Sequence, residues 1–273
     1  MSSSVEKHYA RPELYQQILN ALQVQGKTTI TRKDLSAVDE FHVRGAAVSM
    51  ELAREAGFNK KLRILDVGCG IGGPARMLAS EFDCHVTGID ITEEFIETAR
   101  LLTKLVGLDD RVQYIHADAL NLPFENNSFD VVWTQHVQMN IRDKEKFYAE
   151  IKKVLNPGGR LIYYDIFTKS HEELTYPVPW AIDNSISFLA TPATLHELLL
   201  NKGFTKLTLK DQTNEGIQFL KDMLNRANSQ EQPKLGMHLI LGDLWKEKFQ
   251  NLLTNLEMGI LEIQSGIYQK AGD

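Results

Sequence analysis

Cysteine is nearly absent. Only Cys69 and Cys84 occur in 273 residues. Two cysteines make neither a disulfide framework nor a metal site, and Cys69 reads as a small residue in a turn. No apolar run approaches the ~20 residues that span a bilayer, so no membrane span is expected. Met1 to Lys7 lack an apolar signal segment, and the expected location is cytoplasmic. Positive charge is in deficit: 30 Lys and Arg stand against 36 Asp and Glu, a net charge of −6. Nucleic acid is therefore not an expected partner. There is no Gly-x-Ser-x-Gly elbow and no Walker lysine, and His8, His42, His116 and His136 show no metal-ligand spacing, so no metal is expected. Internal repeats and low-complexity tracts are missing too. With 43% hydrophobic residues the length suits one large domain, or one domain with a substantial insertion.

What is present centres on Ile64 to Gly73. The run from Leu62 to Val67 is almost continuously apolar, as in a parallel strand buried on both faces. Gly68 and Gly70 allow a sharp turn and close approach of a ligand. A helix is expected from about Pro74 to Phe82, its free N–H groups facing the turn. Asp66 is the unusual member. A carboxylate there would repel a pyrophosphate but suits a sulfonium or ammonium group, directly or through water.

Residues 11 to 57 read as helical, with Tyr15, Ile18, Leu19 and Leu22 on one face. They form a preface able to act as a lid over one edge of the site. From Leu62 onward strands and helices alternate, which predicts parallel βαβ units. Strands are expected at Cys84 to Ile89, Val112 to His116, Phe129 to Thr134, Arg160 to Phe167 and Phe204 to Leu209. Residues 168 to 190 read as irregular. Residues 214 to 263 read as helical, an insertion that could build a substrate cap. The tail Gly266 to Lys270 reads as a short edge strand. The expected organisation is one compact unit: a lid over 1–57, an α/β core over 58–170, and the rest of the sheet with its cap over 171–273.

Asp90 ends the second strand, 22 residues after Gly68. That is the spacing at which a carboxylate grips ribose hydroxyls; the duller reading is a loop acid before the helix at Thr92. Asp118 follows the third strand, where a carboxylate could accept an adenine amino hydrogen or simply cap a turn. Gln135 and His136 follow the fourth strand. His136 is placed either to deprotonate a substrate or to pack beside the cofactor. Asp165, flanked by Tyr164 and Ile166, suits a substrate cation or hydroxyl, or caps a loop. Arg44 could pair with a carboxylate, and Tyr9 with His8 could fold over the site.

The order Asp66-Val67-Gly68-Cys69-Gly70, Gly88-Ile89-Asp90, Ala117-Asp118-Ala119, Pro123 to Asp130, and Leu155 to Gly159 resembles the class I S-adenosylmethionine-dependent methyltransferases over residues 60 to 170. The resemblance implies a doubly wound, mostly parallel α/β sheet of seven strands, whose last strand inserts antiparallel. It implies S-adenosylmethionine as cofactor, with contacts at Asp66, Gly68, Gly70, Asp90, Ile91, Asp118, Ala119 and Gln135. The segment Asp39 to Gly45, with the C-terminal cap, is similar to the small-molecule branch, most of all the sarcosine/dimethylglycine group. Where that group usually has glycine, this chain has Arg44, whose own partner could be the cofactor carboxylate. The implied reaction moves a methyl group to N or O of a small-molecule acceptor, with His136, Asp165 and Tyr9 as catalytic candidates. Three alternatives stay open: C-methylation of a quinone- or isoprenoid-like molecule, a nicotinamide-dependent oxidoreductase, and a non-catalytic binder of the same cofactor. The acceptor and the oligomeric state, a homodimer among the options, are not readable from the sequence.

Overall fold

The computed structural model describes residues 4–24, 26, 29–169, 172–229 and 234–272. The first three residues of the polar N-terminal stretch lie outside this set. Seven strands form one sheet: β1 (Arg63–Val67), β2 (His85–Asp90), β3 (Val112–His116), β4 (Phe129–Gln135), β5 (Leu155–Thr168), β6 (Phe204–Asp211) and β7 (Leu261–Lys270). Their spatial order is β3-β2-β1-β4-β5-β7-β6. All neighbours are parallel except β7, which runs antiparallel to both β5 and β6.

The last strand inserts antiparallel, as the resemblance implies, but departs from the short edge strand read from the residues. It is ten residues long and sits inside the sheet, so β6 is the edge. It starts at Leu261, within the stretch read as helical. Leu261, Ile263, Ile267 and Tyr268 are all buried, some on each face. A strand covered on both faces loses the alternation that would separate it from a buried helix.

The helices before the sheet are α1 (Ser4–Tyr9), α2 (Leu14–Val24), α3 (Ser36–Asp39) and α4 (Ala46–Glu55). Within the sheet come α5 (Gly73–Phe82), α6 (Glu93–Leu105), α7 (Lys144–Val154) and α8 (Pro192–Asn201). The cap holds α9 (Thr213–Ser229), α10 (His238–Leu241) and α11 (Trp245–Glu257). Asp143 caps α7 by accepting from Lys146 N, and Thr191 caps α8 by accepting from Thr194 N. On α2 the buried stripe is Leu14, Ile18, Ala21 and Leu22; Tyr15 and Leu19 are only half-buried.

Two apolar cores flank the sheet. One holds Ile18, Leu52, Met77, Phe95, Leu220 and Leu252, so α2, α4, α5, α6 and the cap helices share a face. The other joins Leu65, Val132 and Tyr163 to Phe147 and Ile151 of α7 and Leu195 of α8. No helix among the described residues is long and apolar enough to cross a membrane.

Candidate functional site

Parallel register sets the site. Val67 pairs with Ile89 and Thr134, and Asp90 pairs with His116, so the carboxyl ends of β1 to β4 lie at one sheet edge. A cavity of about 320 Å³ opens there. That is within the usual size of a small-molecule pocket. Asp66, Gly68, Gly70, Asp90, Ile91, Asp118, Ala119, Gln135, His136 and Tyr9 all line it. Gly68 has φ +73°, and a Cβ on it would meet Val137 Cγ2 at 2.3 Å; one on Gly70, φ +54°, would meet Phe41 Cε1 at 2.9 Å.

The turn's own amides are engaged within the protein. Gly68 N and Cys69 N both donate to Ile89 O, at 2.8 and 2.9 Å. Gly70 N donates to Asp90 Oδ2 at 2.9 Å, and Thr92 N to Asp90 Oδ1 at 2.9 Å. Asp90 therefore holds the turn together while facing the cavity. Asp118 Oδ1 accepts from Leu120 N at 2.8 Å, a turn contact, and the residue lines the cavity.

The preface supplies residues to which the sequence reading gave no role. Glu40 and Phe41 line the cavity beside His42. Behind them Gln135 Oε1 accepts from Trp133 Nε1 at 2.8 Å, while its amide donates to Ser49 Oγ at 3.1 Å. Ser49 Oγ in turn donates to Glu40 Oε2 at 2.8 Å. His42 Nε2 lies 3.1 Å from Ser49 Oγ and 3.1 Å from Gly45 O. Two adjacent acids before an aromatic, Asp39-Glu40-Phe41, were the available signal. In α1, Tyr9 lines the cavity and its hydroxyl donates to Asn140 Oδ1 at 3.1 Å. Asn140 also donates to Trp180 O and Ile186 O, at 3.1 and 2.8 Å. The last described cavity-lining residue in the chain is Arg142. The C-terminal region thus braces the lid from outside instead of forming the cavity wall.

Two other candidates are not brought to the cavity. Arg44 pairs with a carboxylate, but it is Glu51, at 2.7 and 2.9 Å; it also donates to Gln212 Oε1 at 2.9 Å. Asp165 is 1% exposed and points into the protein. Its Oδ2 accepts from Val137 N and Gln138 N at 3.3 and 3.2 Å, and its Oδ1 from Ile166 N at 3.0 Å. It holds the turn after His136. That residue has φ +53°, with its N–H on Tyr164 O at 2.8 Å and its ring stacked on Tyr164 at 5.2 Å. His136 Nε2 has no hydrogen-bond partner among the described residues.

The site is acidic and largely buried. Burial, then the charges of Asp90 and Glu40, push Asp66 up to about 8. Burial lifts Glu40 and Asp165 to about 7 each. Burial drives His42 down to about 4 and His136 well below its usual value. The folded state keeps protons on these acids that an unfolded chain releases near pH ~4, so they lower stability as pH rises from there to 8. The neutral histidines act oppositely, but only below about 6.5. Stability is expected to fall by roughly 3 kcal/mol between pH 6.5 and 8, about half of it from Asp66. Asp66→Asn should flatten this slope and raise Tm at pH 8. Thermal denaturation across that range checks it; an unchanged slope would show that Asp66 ionises normally.

Residues 65–163 match the family model described as "Methyltransferase domain". That segment carries a methyltransferase domain. It is similar in sequence to sterol 24-C-methyltransferase ERG6B of Gibberella zeae, 37% identical over 42% of this chain and 30% of that protein. Methyltransferase GfsG of Streptomyces halstedii is 34% identical over 50% and 49%, and phosphoethanolamine N-methyltransferase 1 of Arabidopsis thaliana 28% identical over 77% and 41%. The chain spans about half the length of these relatives, or less. In fold it resembles a putative sarcosine dimethylglycine methyltransferase from Galdieria sulphuraria, with TM-score 0.67 and 18% identity over 94% of this chain and 98% of that one. The [4+2]-cyclase SpnF matches with TM-score 0.71 and 19% identity over 100% and 98%. The methyltransferase domain's cavity fits a nucleoside sulfonium. Asp66 Oδ2 is a buried acceptor with no partner among the described residues, Gly70 presents no side chain, and acids stand at three successive strand ends.

Proposed function

We propose that this chain transfers a methyl group from S-adenosylmethionine to nitrogen or oxygen of a small molecule. Asp90 would hold the ribose hydroxyls, Asp118 the adenine amino group, and Asp66 with Gln135 the charged methionine end. When bound, the cofactor supplies an electrophilic methyl group on a sulfonium. The observation that carries the reading is the convergence of Asp66, Asp90 and Asp118 on one cavity that continues to His136 and Tyr9.

On the acceptor side, His136 is neutral and its Nε2 is unengaged, so it can take a proton from a hydroxyl or orient an amine lone pair. Burial, then Asp90 and Asp165, hold the Tyr9 phenol well above its usual range, so it acts as a hydrogen-bond donor rather than a base. The lid formed by Tyr9 and Asn140 excludes water, which strengthens electrostatic interactions within the site. Asp165 and the Gln135–Ser49–Glu40 chain position these groups. His136→Gln is expected to lower turnover about 10²- to 10⁴-fold, with S-adenosylhomocysteine affinity little changed. Steady-state kinetics with calorimetry tests this; full activity would remove His136 from the chemistry.

A second reading, C-methylation of an isoprenoid-like acceptor, is favoured by the aromatic wall of Tyr9, Phe41 and Phe95, whose faces suit a developing cation. Incubation with methyl-labelled cofactor and a fractionated metabolite extract, with the labelled atom located by mass spectrometry, separates the two. No S-adenosylhomocysteine binding by calorimetry would end both.

A further inference from the structure

We propose that Arg11 and Lys248, flanked by His8, form a binding site for a phosphate dianion in the seam where the N-terminal lid meets the C-terminal helices. Lys248, on α11, is 2% exposed. Its ammonium donates to Leu241 O at 3.1 Å, which leaves two of its three hydrogens unused among the described residues. Arg11 lies between α1 and α2. Its Nη1 donates to His8 O and Ala10 O, at 3.3 and 2.7 Å, and its Nε is buried without a partner. Its Nη2 comes within 3.6 Å of the point a Cβ on Gly242 would occupy. The two cations thus converge on the Leu241–Gly242 backbone from elements more than 200 residues apart in sequence. No carboxylate is paired with either among the described residues.

Burial of charge without a counter-charge is unfavourable, and a fold rarely keeps it unless something else supplies the opposite sign. Here Lys248 is buried and Arg11 half-buried, two positive charges with no carboxylate partner among the described residues. His8, whose Nε2 faces Pro179 O at 3.2 Å, is kept neutral by burial, with both cations adding to the effect. A carboxylate would balance only one charge. A phosphate dianion balances both, and the guanidinium fork and the spare ammonium hydrogens match its oxygens. The bound anion would tie the segment next to Tyr9 to the cap. The site lies outside the cavity and does not depend on methyl transfer.

The test is thermal denaturation of the full chain in potassium phosphate, in glycerol phosphate, and in potassium chloride at matched ionic strength. Phosphate also stabilises folded proteins by exclusion from their surface. That effect does not saturate and is the same in a variant, so the saturable difference between proteins is the readout. The expected result is a saturable rise of about 5 °C over chloride at roughly 100 times Kd. It should be lost in Lys248→Met, which keeps the stem and removes a buried charge, and in Arg11→Gln, but kept in Lys248→Arg. A response to glycerol phosphate alone identifies a phosphorylated organic ligand; a response to inorganic phosphate identifies the free ion. Equal responses in the wild type and both charge-removing variants, or none above chloride, overturn the proposal.

Discussion

Asp90→Ala is expected to bind S-adenosylhomocysteine about 100- to 1000-fold more weakly than the wild type. The carboxylate has two tasks in one place. It accepts the amides of Gly70 and Thr92, which fixes the glycine turn against the start of α6. Its remaining lone pairs face the cavity, where two ribose hydroxyls could donate. Hydrogen bonds to a charged acceptor are worth ~1.5–3 kcal/mol each, and every ~1.4 kcal/mol is tenfold in Kd. Losing two such bonds is enough for the stated effect before any loosening of the turn. Asp90→Asn keeps one acceptor oxygen and should fall between. Stability of Asp90→Asn should change little, because burial already lifts the pKa of Asp90 and its charge opposes that of Asp66; Asp90→Ala should lose about 1–3 kcal/mol, because the amides of Gly70 and Thr92 lose their acceptor. Calorimetric titration is the measurement. Affinity within threefold of wild type for Asp90→Ala would mean that the nucleoside lies elsewhere.

Arg76→Met should cost about 3–5 kcal/mol of stability, a fall in Tm of roughly 10 °C. Arg76 is fully buried on α5 and meets Asp39, the last residue of α3, at 2.5 Å. It also donates to Thr103 Oγ1 at 3.1 Å. The approach here is close: a Cβ on Gly73 would stand 1.8 Å from Asp39 O. Removing the guanidinium leaves Asp39 buried without its counter-charge at the joint where the preface docks on the sheet. Glu40 and Phe41, next in the chain, line the cavity, so cofactor affinity should fall together with stability. Asp39→Asn combined with Arg76→Met removes both charges and should recover much of the loss. Denaturant titration of the two singles and the double measures the coupling. A single variant within 1 kcal/mol of wild type, and no recovery in the double, would show that the pair does not hold the joint.

The contrast between these residues shows how much of the site was legible. Asp66, Gly68, Gly70, Asp90 and Asp118 were readable because their placement is local. A parallel strand delivers its last residues to one sheet edge, and positive φ at a turn selects glycine. Asp165 looked equivalent and is not. It sits one position from Tyr164 on a strand buried on both faces, and successive side chains point to opposite sides. Packing decides the rest: no residue of β5 lines the cavity, and the oxygens of Asp165 accept the amides of Val137, Gln138 and Ile166 instead. Arg44 found its carboxylate on Glu51, seven residues along its own chain, before any ligand entered.

The sequence by itself determined the alternation of elements, the glycine turn and the row of acids, since each depends on near neighbours and on backbone geometry. Tertiary structure alone decided the full length of β7, the contact of Tyr9 with Asn140 across 131 positions, the wall built by Glu40 and Phe41, and the meeting of Arg11 with the cap. Such contacts join segments far apart in the chain, and what fixes them is complementary shape and charge between surfaces that no local pattern records.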